Sequence, residues 1–185
     1  MISHRHQFIF VHIPKTAGTT IRTAFYREYD ELHNPHHAGI SEIKESLSEE
    51  VFQSYFKFGA VRNPWDREVS RYTFIKQQPQ HIDNDYCQNG FKEYLYTFSQ
   101  RPNALNYNGI RVGGKISLNY IIKFEKLQRD FNTACDKIGI PRRKLSHTNK
   151  SKHKHYTEYY DDETREIVAQ KYAKDIEYFG YKFGE

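Results

Sequence analysis

Two strand-to-helix seams constrain this chain more than any other feature. Residues 8–13 (FIFVHI) form a compact apolar and β-branched run of the kind that fills a buried strand. Pro14 ends the run, and Lys15, Thr16, Ala17, Gly18, Thr19 and Thr20 follow before apolar positions resume. Ile21, Ala24 and Phe25 then recur at one-turn spacing, which predicts a helix capped by Thr19 or Thr20. The same grammar returns at residues 56–61 (FKFGAV), a second strand with Arg62 at its carboxyl end. Asn63 is a good N-cap, Pro64 suits the first helical position, and a helix is expected to about Lys76 with Asp66 in its first turn.

The remaining pattern is consistent with these seams. A short helix is expected over 41–47 with Ser41 as cap, and a short aromatic helix over 91–98 (FKEYLYTF). Residues 119–124 (NYIIKF) predict a third strand. A helix over 125–138 follows, with Leu127, Phe131, Ala134 and Ile138 on one face and Gly139 as its stop. A last helix starts at Asp161 or Asp162 and continues through Ile167, Val168, Tyr172 and Ile176. Strands alternating with helices predict an α/β, three-layer domain with a largely parallel central sheet flanked by helices. With 185 residues, no internal repeat and no dividing linker, one domain over 1–185 is expected.

Composition narrows the partners. A formal charge of +5 and a pI near 9.0 favour an anion: nucleotide, nucleic acid or acidic polymer. Cys87 and Cys135 make no disulfide framework, and the opening stretch MISHRHQFIFVHI has the apolar length of a strand rather than of a signal or membrane segment. A cytoplasmic protein without stable membrane insertion is expected. Ten histidines include His4-x-His6 and His153-x-His155, but neither pair is joined by Cys or carboxylate at metal-site spacing, so no metal is expected.

In open α/β sheets ligands bind beyond the carboxyl ends of the strands, where both seams lie. At the first, backbone N–H groups, a helix N-terminus, Lys15 and the hydroxyls of Thr16, Thr19 and Thr20 could converge on an anion; a capped helix with an exposed lysine is the alternative. At the second, Ser70 follows Arg62 by eight residues, and Arg67 is expected on a solvated salt-bridge face. Two anion sites on one sheet edge suggest a ligand with phosphates at both ends. The lysine precedes the glycine, so the GxxxxGK[ST] of a Walker loop is absent.

The segments FVHIPKTAGTT and FKFGAVRNPWDREVSRY carry a specific likeness. The first resembles the 5′-phosphosulfate loop, and the second the 3′-phosphate segment, of sulfotransferases that use 3′-phosphoadenosine-5′-phosphosulfate (PAPS). Residues 150–183 (KSKHKHYTEYYDDETREIVAQKYAKDIEYFGYKF) resemble the C-terminal part of small, mostly bacterial members related to carbohydrate sulfotransferases, including heparan-sulfate 2-O-sulfotransferase. The resemblance spans residues 8 to 183. It implies a P-loop-like core, PAPS as donor co-substrate without metal, and Lys15 opposing charge on the leaving phosphate oxygen. Pro14, Thr16, Ala17, Gly18, Thr19 and Thr20 would complete the cradle. Arg62 and Ser70 would bind the 3′-phosphate, joined by Lys150 and Ser151 from a late basic loop. His37, directly before Ala38, matches the general base, with His36 as the fallback.

The acceptor expected from this resemblance is a hydroxyl on a carbohydrate or glycolipid, with residues 77–115 as its wall. Tyr86, Tyr94, Tyr96, Arg101 and Arg111 lie there, although the same residues would serve as ordinary packing. Trp65 would line the nucleotide site or pack, and His12 is expected to pack or hydrogen-bond. Two rival functions explain part of the sequence. A small kinase would require a Walker lysine and a strand-end aspartate, whereas the third strand ends in Phe124-Glu125. A non-catalytic module for nucleic acid or acidic glycan would explain the charge but leave both seams without purpose.

Overall fold

A computed structural model describes residues 1–26, 28–29, 37–99, 106–146 and 154–185. In chain order the elements are β1 (Ile2–Ser3), β2 (Phe8–Val11), α1 (Gly18–Ala24), α2 (Ile40–Glu45), α3 (Glu49–Ser54), β3 (Phe56–Val61), α4 (Pro64–Lys76), α5 (Phe91–Ser99), α6 (Asn106–Gly109), β4 (Arg111–Val112), β5 (Lys115–Ile116), β6 (Tyr120–Lys123), α7 (Leu127–Ile138), α8 (Asp162–Lys171) and α9 (Ala173–Phe179). They group into two compact units, one of residues 1–62 and 106–149 and the other of residues 63–105 and 150–185.

The first unit is a mixed α/β layer structure. Its sheet has the order β1-β2-β3-β6, with β2, β3 and β6 parallel and β1 antiparallel to β2. All four residues of β2 are buried, which is why it reads as a continuous apolar run rather than an alternating one. Phe8, Phe10 and Phe58 of the strands meet Phe25 and Phe131, and the Phe25 and Phe131 ring centroids are 5.0 Å apart. Ile21 of α1 and Ala134 of α7 complete this helix-covered face. Helices thus flank a mostly parallel sheet, as the alternation of elements predicts. A separate β4–β5 hairpin turns at Gly113 and Gly114, both in the left-handed region.

Local chemistry shifts several expected boundaries. The first strand stops at Val11, two residues early, because His12 and Ile13 already lead into the turn. Helix α1 starts at Gly18 with Ala17 as N-cap and has no side-chain cap, so Thr19 and Thr20 lie inside its first turn. Helix α2 is capped at Gly39, whose N–H donates to the Glu42 carboxylate at 3.2 Å, and Ser41 falls within it. Helix α3, absent from the sequence expectations, begins where the Ser48 hydroxyl accepts from the Val51 N–H. Its last turn is closed by the buried Lys57 ammonium, 2.8 Å from the carbonyls of Phe52 and Tyr55.

The second unit is helical. Asn63 caps α4 by accepting from the Trp65 N–H at 3.1 Å, and Pro64 takes the first helical position. Trp65 is a packing residue: its indole donates to the Arg165 carbonyl at 3.0 Å and its ring meets Phe183. The expected last helix is divided into α8 and α9, because Tyr172 leaves helical geometry at φ −106°, ψ 23°. Arg67, expected on a solvated face, is fully buried, with its guanidinium 5.1 Å from the Tyr172 ring. Beside it the buried Glu68 carboxylate accepts from the Tyr94 and Tyr172 hydroxyls at 2.8 and 2.5 Å and lies 3.7 Å from Arg71. Burial works against the charge of Glu68, but Arg71, Arg67 and the two hydroxyls outweigh it and hold the carboxyl below its usual range. Among the described residues no helix is long and apolar enough to cross a membrane.

Candidate active site

Register brings the site residues of the first unit to one edge. Val11 pairs with Gly59 and Val61 with Lys123, so β3 and β6 end level and β2 ends two residues short of them. Three chain exits therefore meet at the carboxyl edge: the 12–17 loop, Arg62 and Phe124. The Arg62 guanidinium lies 3.9 Å from the Phe124 ring centroid, and its Nη1 donates to the Lys15 carbonyl at 3.1 Å. The ring supports one face of the guanidinium while the carbonyl fixes its edge. The sequence reading places Phe124 only at a strand end; an aromatic residue just past that end, level with Arg62, is the signal for its contact with the guanidinium.

The loop between β2 and α1 has an unusual backbone. Lys15 and Ala17 both lie in the left-handed region, at φ 66° and 67°, and neither is glycine. Each such residue is disfavoured by about 1–2 kcal/mol, so the fold must impose the conformation. Left-handed residues alternating with ordinary ones turn successive N–H groups toward one concavity, a known anion cradle. The Thr16 hydroxyl is buried and donates to the Ile13 carbonyl at 2.8 Å, closing the loop on itself. The first intrahelical bond of α1 runs from the Ile21 N–H to the Ala17 carbonyl at 3.1 Å. The N–H groups of Gly18, Thr19 and Thr20 precede it and have no acceptor within the helix. Lys15 is half-buried, Thr19 exposed and Thr20 nearly buried.

Gly18 must be glycine here. A Cβ at this position would lie 1.8 Å from Cδ2 and 2.0 Å from Nε2 of His12, an overlap that no small adjustment removes. His37 is exposed, its ring 4.5 Å from that of His12 at 68°, and its Nδ1 is 3.3 Å from the His12 carbonyl. A carbonyl only accepts, so Nδ1 carries the hydrogen of this bond, and in the neutral ring Nε2 is then the nitrogen with the lone pair.

The sequence profile of the sulfotransferase family matches residues 1–182. The chain belongs to the sulfotransferase family. An uncharacterised protein of Archaeoglobus fulgidus is 27% identical over 103 residues, covering 54% of this chain and 80% of that protein. Membership in the sulfotransferase family makes the chain a transferase of sulfuryl groups in general terms.

The positions expected for this sulfotransferase divide into groups. Pro14, Lys15, Thr16, Ala17, Gly18, Thr19, Thr20, Arg62 and His37 all belong to the first unit. Ser70 belongs to the second, where it is buried in α4. His36, Arg101, Lys150 and Ser151 lie outside the described residues. Tyr94 is buried on Glu68 and cannot form an exposed wall, and the Tyr96 hydroxyl donates to Glu163. Arg111 stacks on Tyr107 at 4.5 Å, with its Nε donating to the Gly114 carbonyl. Of the histidines weighed as metal ligands, His4 meets the Tyr55 hydroxyl at 2.7 Å and His6 the Glu28 carboxylate at 2.9 Å.

Proposed function

We propose that the protein moves a sulfuryl group from PAPS to a hydroxyl of a carbohydrate or glycolipid acceptor, without a metal ion. The observation that carries this reading is the strained, glycine-poor loop at residues 14–20, tied to Arg62 through the Lys15 carbonyl. A loop whose N–H groups converge beside a lysine suits a phosphosulfate, and family membership supplies the reaction class.

In this reading Lys15 and the N–H groups of residues 16–20 oppose the charge that grows on the leaving phosphate oxygen, which is where transition-state stabilisation is needed. The S–O bond to that phosphate breaks as the acceptor oxygen bonds to sulfur. His37 Nε2 takes the hydroxyl proton, leaving a sulfate ester and 3′-phosphoadenosine 5′-phosphate. Thr16 shapes the loop through its bond to Ile13 and contributes its backbone rather than its hydroxyl. Arg62 carries a rigid five-donor fork, one arm of which donates to the Lys15 carbonyl, and that fork would meet the 3′-phosphate. Ser70, Lys150, Ser151 and the fallback base His36 enter on the motif likeness alone.

Incubation with ³⁵S-labelled PAPS and a panel of glycosides in the presence of a chelator tests the reading. Label should pass to an acceptor hydroxyl and fail to do so with Lys15→Ala. Transfer of labelled phosphate from ATP, dependent on Mg²⁺, would replace it with phosphoryl transfer.

A further inference from the structure

On the reading of His37 as the base, we propose that His12 is a positioning residue that registers the base against the phosphosulfate loop. Its imidazole is one wall shared by both. On one side it fills the space that a side chain at position 18 would need, so it sets where α1 begins. On another it meets the His37 ring edge to face at 4.5 Å. Beneath, it lies nearly parallel to Phe10, with centroids 6.2 Å apart and planes at 22°, which roots it in the β2 core. The His12 carbonyl, one peptide unit away from that ring, receives the His37 Nδ1–H. A single buried residue thus holds the ring plane and the tautomer of the base, and abuts the first residue of the helix that bears the anion cradle.

The chemistry requires such a register. The acceptor oxygen must reach sulfur while its proton faces Nε2, and a displacement near 1 Å in such arrangements costs about 100-fold in rate. A carbonyl alone leaves the imidazole free to swing about one hydrogen bond; the His12 ring removes that freedom. His12 touches no reacting atom in this scheme, and an aromatic ring of similar size should replace it.

The test is imidazole ¹⁵N spectroscopy of the intact protein at about pH 8, where an ordinary histidine is neutral. His37→Ala identifies the His37 signals by their loss. In the wild type, Nδ1 should be protonated and Nε2 bare. His12→Phe should keep that pattern, whereas His12→Ala should release His37 to a mixture of tautomers and lower sulfuryl transfer about 10- to 100-fold. An Nε2-protonated His37 in the wild type overturns the proposal with no variant needed, and so does an unaltered His37 in His12→Ala. If His12→Ala fails to fold, His12→Gln, which keeps polarity without a ring, takes its place with the same expectation. The base role fails by a different result: full transfer activity in His37→Ala.

Discussion

A 3.1 Å hydrogen bond joins the Arg62 guanidinium to the Lys15 carbonyl across the carboxyl edge of the sheet. Because the same guanidinium is stacked on Phe124, Arg62 holds the strained loop in place, and in the proposed function it also meets the 3′-phosphate. Hydrogen bonds to charged groups contribute about 1.5–3 kcal/mol. Arg62→Ala should therefore weaken binding of 3′-phosphoadenosine 5′-phosphate about 10- to 100-fold in a calorimetric titration. Arg62→Lys should recover little, since an ammonium keeps the charge but neither the fork nor the stack. Full recovery by lysine would mean that the site reads charge alone.

Gly18 and His12 should be energetically coupled. Gly18→Ala forces a Cβ into the His12 ring, and overpacking of this kind costs about 1–3 kcal/mol. Thermal unfolding should drop by roughly 2–4 °C for each kcal/mol in a chain of this length. In a His12→Ala background the same change should cost clearly less, because the ring is gone. Additive costs in the double variant would contradict the contact.

The buried Glu68 cluster gives a pH signature. The folded carboxyl titrates below its ordinary value of 4.5, so its stabilisation is complete above that pH and is lost as pH falls from 4.5 toward and through the folded value. Glu68→Gln removes the buried carboxylate charge that faces Arg71 and Arg67 and should cost about 3–5 kcal/mol near neutrality. Denaturant titrations at several pH values should show the gap between the variant and the wild type narrowing below pH 4.5. A gap independent of pH would show that the charge of Glu68 is not what stabilises the cluster.

Neither thiol should behave as a reactive cysteine. Burial, with lesser help from Asp83 and Asp136, pushes Cys87 and Cys135 from 9.0 up to about 11. At a given pH that rise lowers the thiolate fraction about 100-fold, and both side chains are buried as well. A disulfide reagent at pH 8 should titrate no thiol quickly until denaturant is added. Rapid labelling of either one in the native protein would place it nearer to solvent than the fold allows.

What could be read from sequence was the chemistry that acts locally. Strand β3 and helix α4 match their expected limits because Asn63 and Pro64 mark the junction within two residues, and Gly139 ends α7 at φ 80° as its position implies. Ser48 before two glutamates is an equally local signal for α3, and Gly113-Gly114 for the hairpin. Other features depend on partners far along the chain. Arg67 is buried because Tyr172 meets it from 105 residues away, and nothing in VRNPWDREVSRY signals that. The 14–20 loop is legible as a motif, but the left-handed backbone of Lys15 and Ala17 is not, since neither residue type favours it. The contacts of His12 with Gly18 and His37 likewise exist only once the loop has closed.

The donor is tested most directly by calorimetric titration of the protein with 3′-phosphoadenosine 5′-phosphate, alongside AMP and ATP, with and without Mg²⁺. Binding that is independent of metal, needs the 3′-phosphate and is lost in Lys15→Ala is the expected result. Equal affinity for AMP, or a preference for ATP with Mg²⁺, would contradict the assignment of the residue 14–20 loop and Arg62 to PAPS.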